Sequence, residues 1–304
     1  MSARALKALL GTVAGLLIIW LAVTFLPRGG GGPDGSSEGL TAFFQGATPN
    51  SLSAVRFTDP VHHDAIELRR AGAEWKVNGF RADSAVLARF WETLGEAKIG
   101  DLVAANPANH SRMGLAGDSA WTLELESEAG SRSLLVGDAG SRYGTTFVRL
   151  PGEDNVHLLE GNLRPQVTRP LDDWRNKRVA TVDTAGVWRI EVEREGDGFV
   201  LQRSDSVWVL QGGAQADPTP VRAMLGEMAR MDASGFFPPG DSLSARAGTV
   251  RALDQAGELR LALDIGSDEG DRWVRAAGDS IIYRIPSWRA ARIFPDSVGT
   301  AGGG

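Results

Sequence analysis

The chain has no cysteine in its 304 residues. That absence excludes a disulfide scaffold, a thiolate metal site and a cysteine nucleophile. Histidine is scarce, at four, and tyrosine scarcer, at two. An excess of basic charge is also lacking: 32 Lys+Arg stand against 38 Asp+Glu, a net −6, which removes the electrostatic footprint needed to wrap nucleic acid. Disorder as a whole is ruled out by a 42% hydrophobic and 23% charged composition.

Long apolar runs are missing everywhere but at the start. Ala8 to Leu26 carry no charged side chain. Such a run covers roughly 29 Å as a helix, close to the hydrocarbon thickness of a bilayer. Arg4 and Lys7 precede it, and acidic residues come only after it, at Asp34 and Glu38. The positive-inside rule then keeps residues 1–7 cytoplasmic and exports the rest. A cleaved signal peptide is the rival reading, but the run ends Val23-Thr-Phe-Leu-Pro27, bulky where a peptidase needs small residues. The expectation is one uncleaved anchor over 8–26, with an extracytoplasmic or periplasmic body on a bacterial cell membrane. Residues 27–53, opening Arg28-Gly-Gly-Gly-Gly-Pro33, read as a flexible Gly-rich tether, and 297–304 as a disordered tail.

The body between them repeats itself. Leu68 to Trp75-Lys-Val77, followed by Ala82-Asp83, is answered by Leu201 to Trp208-Val-Leu210, followed by Ala216-Asp217. The offsets are 133 for the Trp pair and 134 for the Ala-Asp pair. Leu135-Val-Gly137-Asp138 is answered by Asp264-Ile-Gly266-Ser267. Phe147-Val-Arg149 and Val156-His157 are answered at an offset of 126 by Trp273-Val-Arg275 and Ile282-Tyr283. The expected fold is therefore α+β: a tandem duplication, 54–180 and 181–296, of a unit with an antiparallel sheet and one main helix. Val86, Leu87, Phe90, Trp91 and Leu94 make the apolar face of the first helix. In the second, Asp217 caps and Val221, Met224, Leu225 and Met228 form the stripe.

Met113-Gly114-Leu115, Leu135-Val-Gly137, Phe147-Val-Arg149 and Val156-His157, after a Trp-ended strand and an Ala-Asp helix start, resemble the family called domain of unknown function 4340. The likeness covers roughly residues 50–295, although Ala116-Gly117 stands where the family commonly has a proline shortly after Gly-Leu. The resemblance implies a membrane-anchored envelope protein, often encoded beside the auxiliary subunit of gliding-type ABC transporters. It implies no catalytic residues.

No catalytic constellation emerges from the residues. Gly240-Asp241-Ser242-Leu243 spells a serine-esterase signature, but no histidine follows Ser242 to take its proton. His62-His63-Asp64 is short of ligands for a metal and reads as a polar hairpin. His157, answered by Tyr283, reads as a sheet-surface position. Glu124 and Glu126 share one strand face as solvated acids rather than an acid/base pair. No phosphate loop or dinucleotide fingerprint exists, so no cofactor is expected. The most basic stretch, where the first copy hands over to the second, holds Arg164, Arg169, Trp174, Arg175, Lys177 and Arg178. It reads as a connector with ion pairs to Asp172 and Asp173, or as a partner-docking surface, since Trp and Arg anchor interfaces.

The leading expectation is a non-catalytic accessory or scaffold of an ABC-type transport or envelope complex. The alternative is a module binding envelope glycan or lipid in a cleft between the copies, with Trp91 as a lining candidate. An unrecognised hydrolase stands third.

Overall fold

A computed structural model describes residues 33–301, apart from Asp118, Pro239, Asp268 and Glu269. The expected cytoplasmic segment 1–7, the anchor 8–26 and the start of the tether thus lie outside the described residues, as do 302–304. Among the described residues no helix is long and apolar enough to cross a membrane.

The chain is α+β, mostly antiparallel sheet with few helices, and it divides into two compact units. The first unit takes the chain through Gly79 and Ala85–Arg169; the second takes Phe80–Ser84 and everything from Pro170 on. The boundary expected at 180 therefore moves back to Arg169, with a short excursion of the chain into the second unit. Backbone pairing is the reason. Asp83 N–H donates to Trp174 O (2.8 Å) and Asn176 N–H to Arg81 O (2.9 Å), so Phe80–Asp83 is held by the segment after Pro170.

The first unit begins with helix α1 (Pro33–Phe44). Strands β1 (Leu52–Thr58), β2 (Ala65–Ala71) and β3 (Glu74–Val77) follow. Residues Phe80–Arg81 form β4, and α2 spans Ser84–Glu96. Then come β5 (Lys98–Ala104), β6 (Trp121–Ser127), β7 (Gly130–Ala139), β8 (Thr145–Arg149) and β9 (Val156–Glu160). The sheet order runs β4-β3-β2-β1-β6-β7-β8-β9-β5. Alternation along β1 and β6 puts Phe57, Leu123 and Leu125 on the buried face. On the other face, Arg56 lies opposite both Glu67 and Glu124 in register and pairs with them at 3.3 and 3.6 Å. Glu124 is thus a cross-strand ion-pair partner. Helix α2 buries Val86, Leu87, Phe90 and Leu94, with Phe90 edge-on to Phe57 at 5.4 Å.

The expected tether is partly a docked helix. Leu40 and Phe43 of α1 are buried, at 1% and 2% exposure, and α1 packs against β5 and β7. Arg132 donates to Ala42 O (3.0 Å) and lies over the Phe43 ring. Leu40, Phe43 and Phe44 are spaced i, i+3, i+4, one short apolar face inside a Gly/Ser-rich segment. Such a helix is marginal alone and is held by tertiary packing.

The second unit holds short helices and strands first: α3 (Arg164–Val167) closes the preceding unit, and α4 (Leu171–Trp174) and β10 (Arg178–Ala180) open this one. Strands β11 (Arg189–Arg194), β12 (Asp197–Ser204) and β13 (Val207–Leu210) lead to α5 (Pro218–Ala229). After β14 (Met231–Asp232) and β15 (Gly235–Phe236) come β16 (Arg246–Leu253), β17 (Leu259–Gly266), β18 (Arg272–Ala276), β19 (Tyr283–Ile285) and α6 (Ser287–Ile293). With the edge strand β4 set aside, the order β13-β12-β11-β16-β17-β18-β19-β15 corresponds strand for strand to that of the first sheet.

Asp217 caps α5 through Thr219 N–H (2.8 Å), with Pro218 and Pro220 in the first turn where a missing N–H costs little. Val221, Met224 and Met228 are core residues beside Ile190, Leu201, Val250 and Leu263. Glu227 is buried on the same helix but paired with Arg289 (3.2 Å) and Arg292 (3.6 Å). The expected disordered tail is also corrected as far as Ala301. Val298 enters the core, and Ala301 N–H donates to Gln215 O (2.8 Å), so the chain end is held against the approach to α5.

Phe43→Ala tests the docking of α1. It should lower stability by about 3 kcal/mol or more in chemical denaturation, the usual cost of emptying a buried Phe site. A free tether would show no change.

Candidate functional site

The residues that carry the family likeness come together in the first unit as packing. Gly114 (φ 64°) ends a 3-10 turn, and Gly137 lies so close to Met113 O and the Leu115 side chain that a Cβ has no room. Arg149 donates to Leu115 O (3.1 Å) and Glu153 O (3.0 Å). Arg164 donates to Gly137 O and pairs with Asp138 at 3.1 Å. These contacts tie turn to strand and leave Arg164 engaged within its own unit.

The six docking candidates divide between the two units. Arg164 and Arg169 belong to the first unit, where Arg169 Nη2 donates to Gln166 Oε1 (3.0 Å). Trp174, in the second, is fully buried, and Arg175 is 7% exposed. A Trp at the core cannot anchor a partner, so the docking reading is corrected there. The connector reading holds better: Arg175 pairs with Asp172 (3.2 Å) and Lys177 with Asp173 (2.8 Å).

Other candidates resolve locally. His62 Nδ1 meets Asp59 Oδ2 (3.2 Å) in a turn where Asp59 also accepts from Val61 N–H, and the backbone hydrogen bonds there hold its carboxyl below the usual range. His157 is not at a sheet surface; at 2% exposure it lies in β9, where four consecutive residues are buried because both faces are covered. Trp91 stacks on Trp75 (5.0 Å) and Phe90 (4.9 Å). Gly240-Asp241-Ser242 is a turn closed by Asp241 N–H to Pro238 O (3.2 Å). Among the described residues no group of three or more His, Cys, Asp or Glu could hold a metal ion.

What the sequence did not signal is the surrounding of Arg175. Its guanidinium lies between two rings, 3.8 Å from the Phe80 centroid and 3.4 Å from that of Phe236. Nη1 bonds Asp172, Nε is buried without a partner, and burial, only partly opposed by Asp172, draws its pKa down. Beside it Arg178 pairs with Asp232 (2.5 Å) and reaches Thr181 Oγ1 (3.1 Å). Burial works to raise Asp232, but hydrogen bonds from Arg178 and Arg230 keep it below the usual carboxylate range. Tyr283 donates to Asp279 Oδ2 (3.3 Å) and packs on Phe236 (5.5 Å).

These groups border a cavity of about 510 Å³ within the second unit, lined by Arg81, Arg175, Arg178, Asn176, Thr181 and Tyr283 among others. Three arginines and one carboxylate, Asp279, line it, while Asp172 and Asp232 pair with Arg175 and Arg178. A second cavity of about 240 Å³ shares Phe80, Arg175 and Ile281 and is lined by Phe237, Pro238, Leu243 and Ile282 together with Asp241 and Ser280. Arg175 therefore stands where a cationic hollow meets an apolar one. The short backbone pairing of Phe80–Asp83 with Trp174–Asn176 holds Phe80 and Arg81 here. No motif records that pairing.

Burial first, and Asp279 next, push the Tyr283 phenol up to about 12. The folded chain thus holds that proton more tightly than the unfolded one. This contribution to stability is complete below about pH 10 and is lost as pH rises towards about 12. Tyr283→Phe should abolish the tyrosinate absorbance step near pH 12 in a spectrophotometric titration. A step there that survives the substitution overturns the assignment.

No curated protein and no solved structure matches the chain. A protein family does, over residues 75–249, more than half of the chain. The matched span runs from β3 of the first unit to β16 of the second and includes the Gly114, Gly137 and Arg149 contacts. The chain belongs to the family described as domain of unknown function (DUF4340).

Proposed function

We propose that this protein is a single-pass, membrane-anchored extracytoplasmic protein with a tandemly duplicated body. It serves as a non-catalytic accessory or scaffold of an ABC-type transport or envelope complex. The observation that carries the body of this reading is the correspondence of the two sheet orders once the edge strand β4 is set aside, with α2 following β3 and β4 in the first and α5 following β13 in the second. Added to the Trp and Ala-Asp offsets of 133 and 134, it makes duplication the economical origin. The anchor rests on the uncharged run Ala8–Leu26 and the basic residues before it. The transport link rests on the family resemblance.

Membrane fractionation tests the anchor. The full chain should remain in the membrane pellet through an alkaline carbonate wash, and deletion of residues 8–26 should move it to the supernatant. Affinity capture of the full chain from detergent-solubilised membranes should recover transport or envelope subunits. Capture that recovers neither class rejects the scaffold role while leaving the anchor to its own test.

A further inference from the structure

The cavities on either side of Arg175 differ in chemistry. On one side Arg81, Arg175 and Arg178 offer guanidinium donors, and the guanidinium fork suits carboxylate and phosphate oxygens. Arg175 has Nη1 committed to Asp172 and Nε buried, which leaves Nη2 as its unclaimed donor. Its ring sandwich holds the group rigidly, so little freedom is lost when an anion binds. On the other side Phe237, Leu243 and Ile282 line a hollow whose polar lining is Arg175 itself, Asp241 and Ser280. Leu243 is 40% exposed, an apolar side chain left at the rim. A ligand that satisfies both halves has an oxyanion head and an apolar chain.

We propose that the second unit binds an anionic amphiphile, its phosphate or carboxylate head held by Arg81, Arg175 and Arg178 and its apolar chain against Phe237, Leu243 and Ile282. The site lies wholly within one unit and stands independently of the anchor and of the scaffold role. The cationic half sets the selectivity for charge. The apolar half separates a lipid from a free anion, because an ion alone gains nothing from Phe237 and Leu243.

Titration calorimetry on the full chain in a neutral maltoside detergent tests this with three probes: dihexanoyl phosphatidic acid, dihexanoyl phosphatidylcholine and inorganic phosphate. Phosphatidic acid should bind saturably, and the other two at least tenfold more weakly. Arg178→Gln and Leu243→Glu should each weaken phosphatidic acid about tenfold or more. Asp232 keeps Arg230 at 3.0 Å when Arg178 is replaced, and Leu243 is at the surface, so both variants should keep the wild-type circular dichroism spectrum. Should either variant fail to fold, the three-probe comparison on the wild-type chain decides alone. Equal binding of inorganic phosphate reduces the site to a simple anion hollow and overturns the amphiphile. Equal binding of phosphatidylcholine overturns the role of the guanidiniums. Absence of saturable phosphatidic acid binding, or its persistence unchanged in both folded variants, overturns the site.

Discussion

Each antiparallel sheet has more apolar surface than the helix after its opening strands can cover, and the rest of the fold follows from that shortage. In the first unit α2 lays Val86, Phe90 and Leu94 on the sheet through the Phe57–Phe90 contact. In the second α5 lays Val221, Met224 and Met228 beside Ile190 and Val250. One helix of twelve or thirteen residues is about 18–20 Å long and cannot shield eight or nine strands spaced about 4.8 Å apart. Additional cover has to come from elsewhere in the chain. The first unit takes α1, and the second takes α6 and the chain end at Val298.

The same need explains why segments that look disposable are ordered. Leu40 and Phe43 are few, but each is almost completely removed from water, worth about 1.5–3 kcal/mol apiece before the entropy of ordering. Glu227 is carried into the second core by the helix stripe around it and is tolerated there because Arg289 and Arg292 of α6 meet its carboxylate. A buried carboxylate without them would cost several kcal/mol. Helix α6 therefore does two things at once, covering apolar surface and neutralising a charge.

Arg175 shows the opposite economy. A guanidinium stacked between Phe80 and Phe236 with one carboxylate contact is less solvated than an arginine normally is, and burial lowers its pKa accordingly. The fold holds this group in place through the backbone pairing on either side of it, at Asp83–Trp174 and Arg81–Asn176. Such rigidity is what a recognition site needs. The Gly-Asp-Ser turns at Gly240 and Gly278 border the same region, so a motif that resembles catalysis in sequence contributes here as loop geometry around the apolar hollow.

Much of the architecture was legible in the residues. The stripe from Val86 to Leu94 marked α2, and a 3.6-residue stripe with a capping Asp217 marked α5, because such patterns are set by neighbours along the chain. The α+β class was readable too, and the chain divides into two compact units built mostly on antiparallel sheet. Tertiary structure alone decided which polar and aromatic groups meet. Phe80 and Arg175 are 95 positions apart, as the numbering shows, and nothing local to either encodes their stacking. Trp174 looked like an interface anchor because composition cannot tell a core indole from an exposed one. The docking of α1 and of Val298 was equally hidden, since a short apolar spacing acquires meaning only when a distant sheet offers it a face to cover.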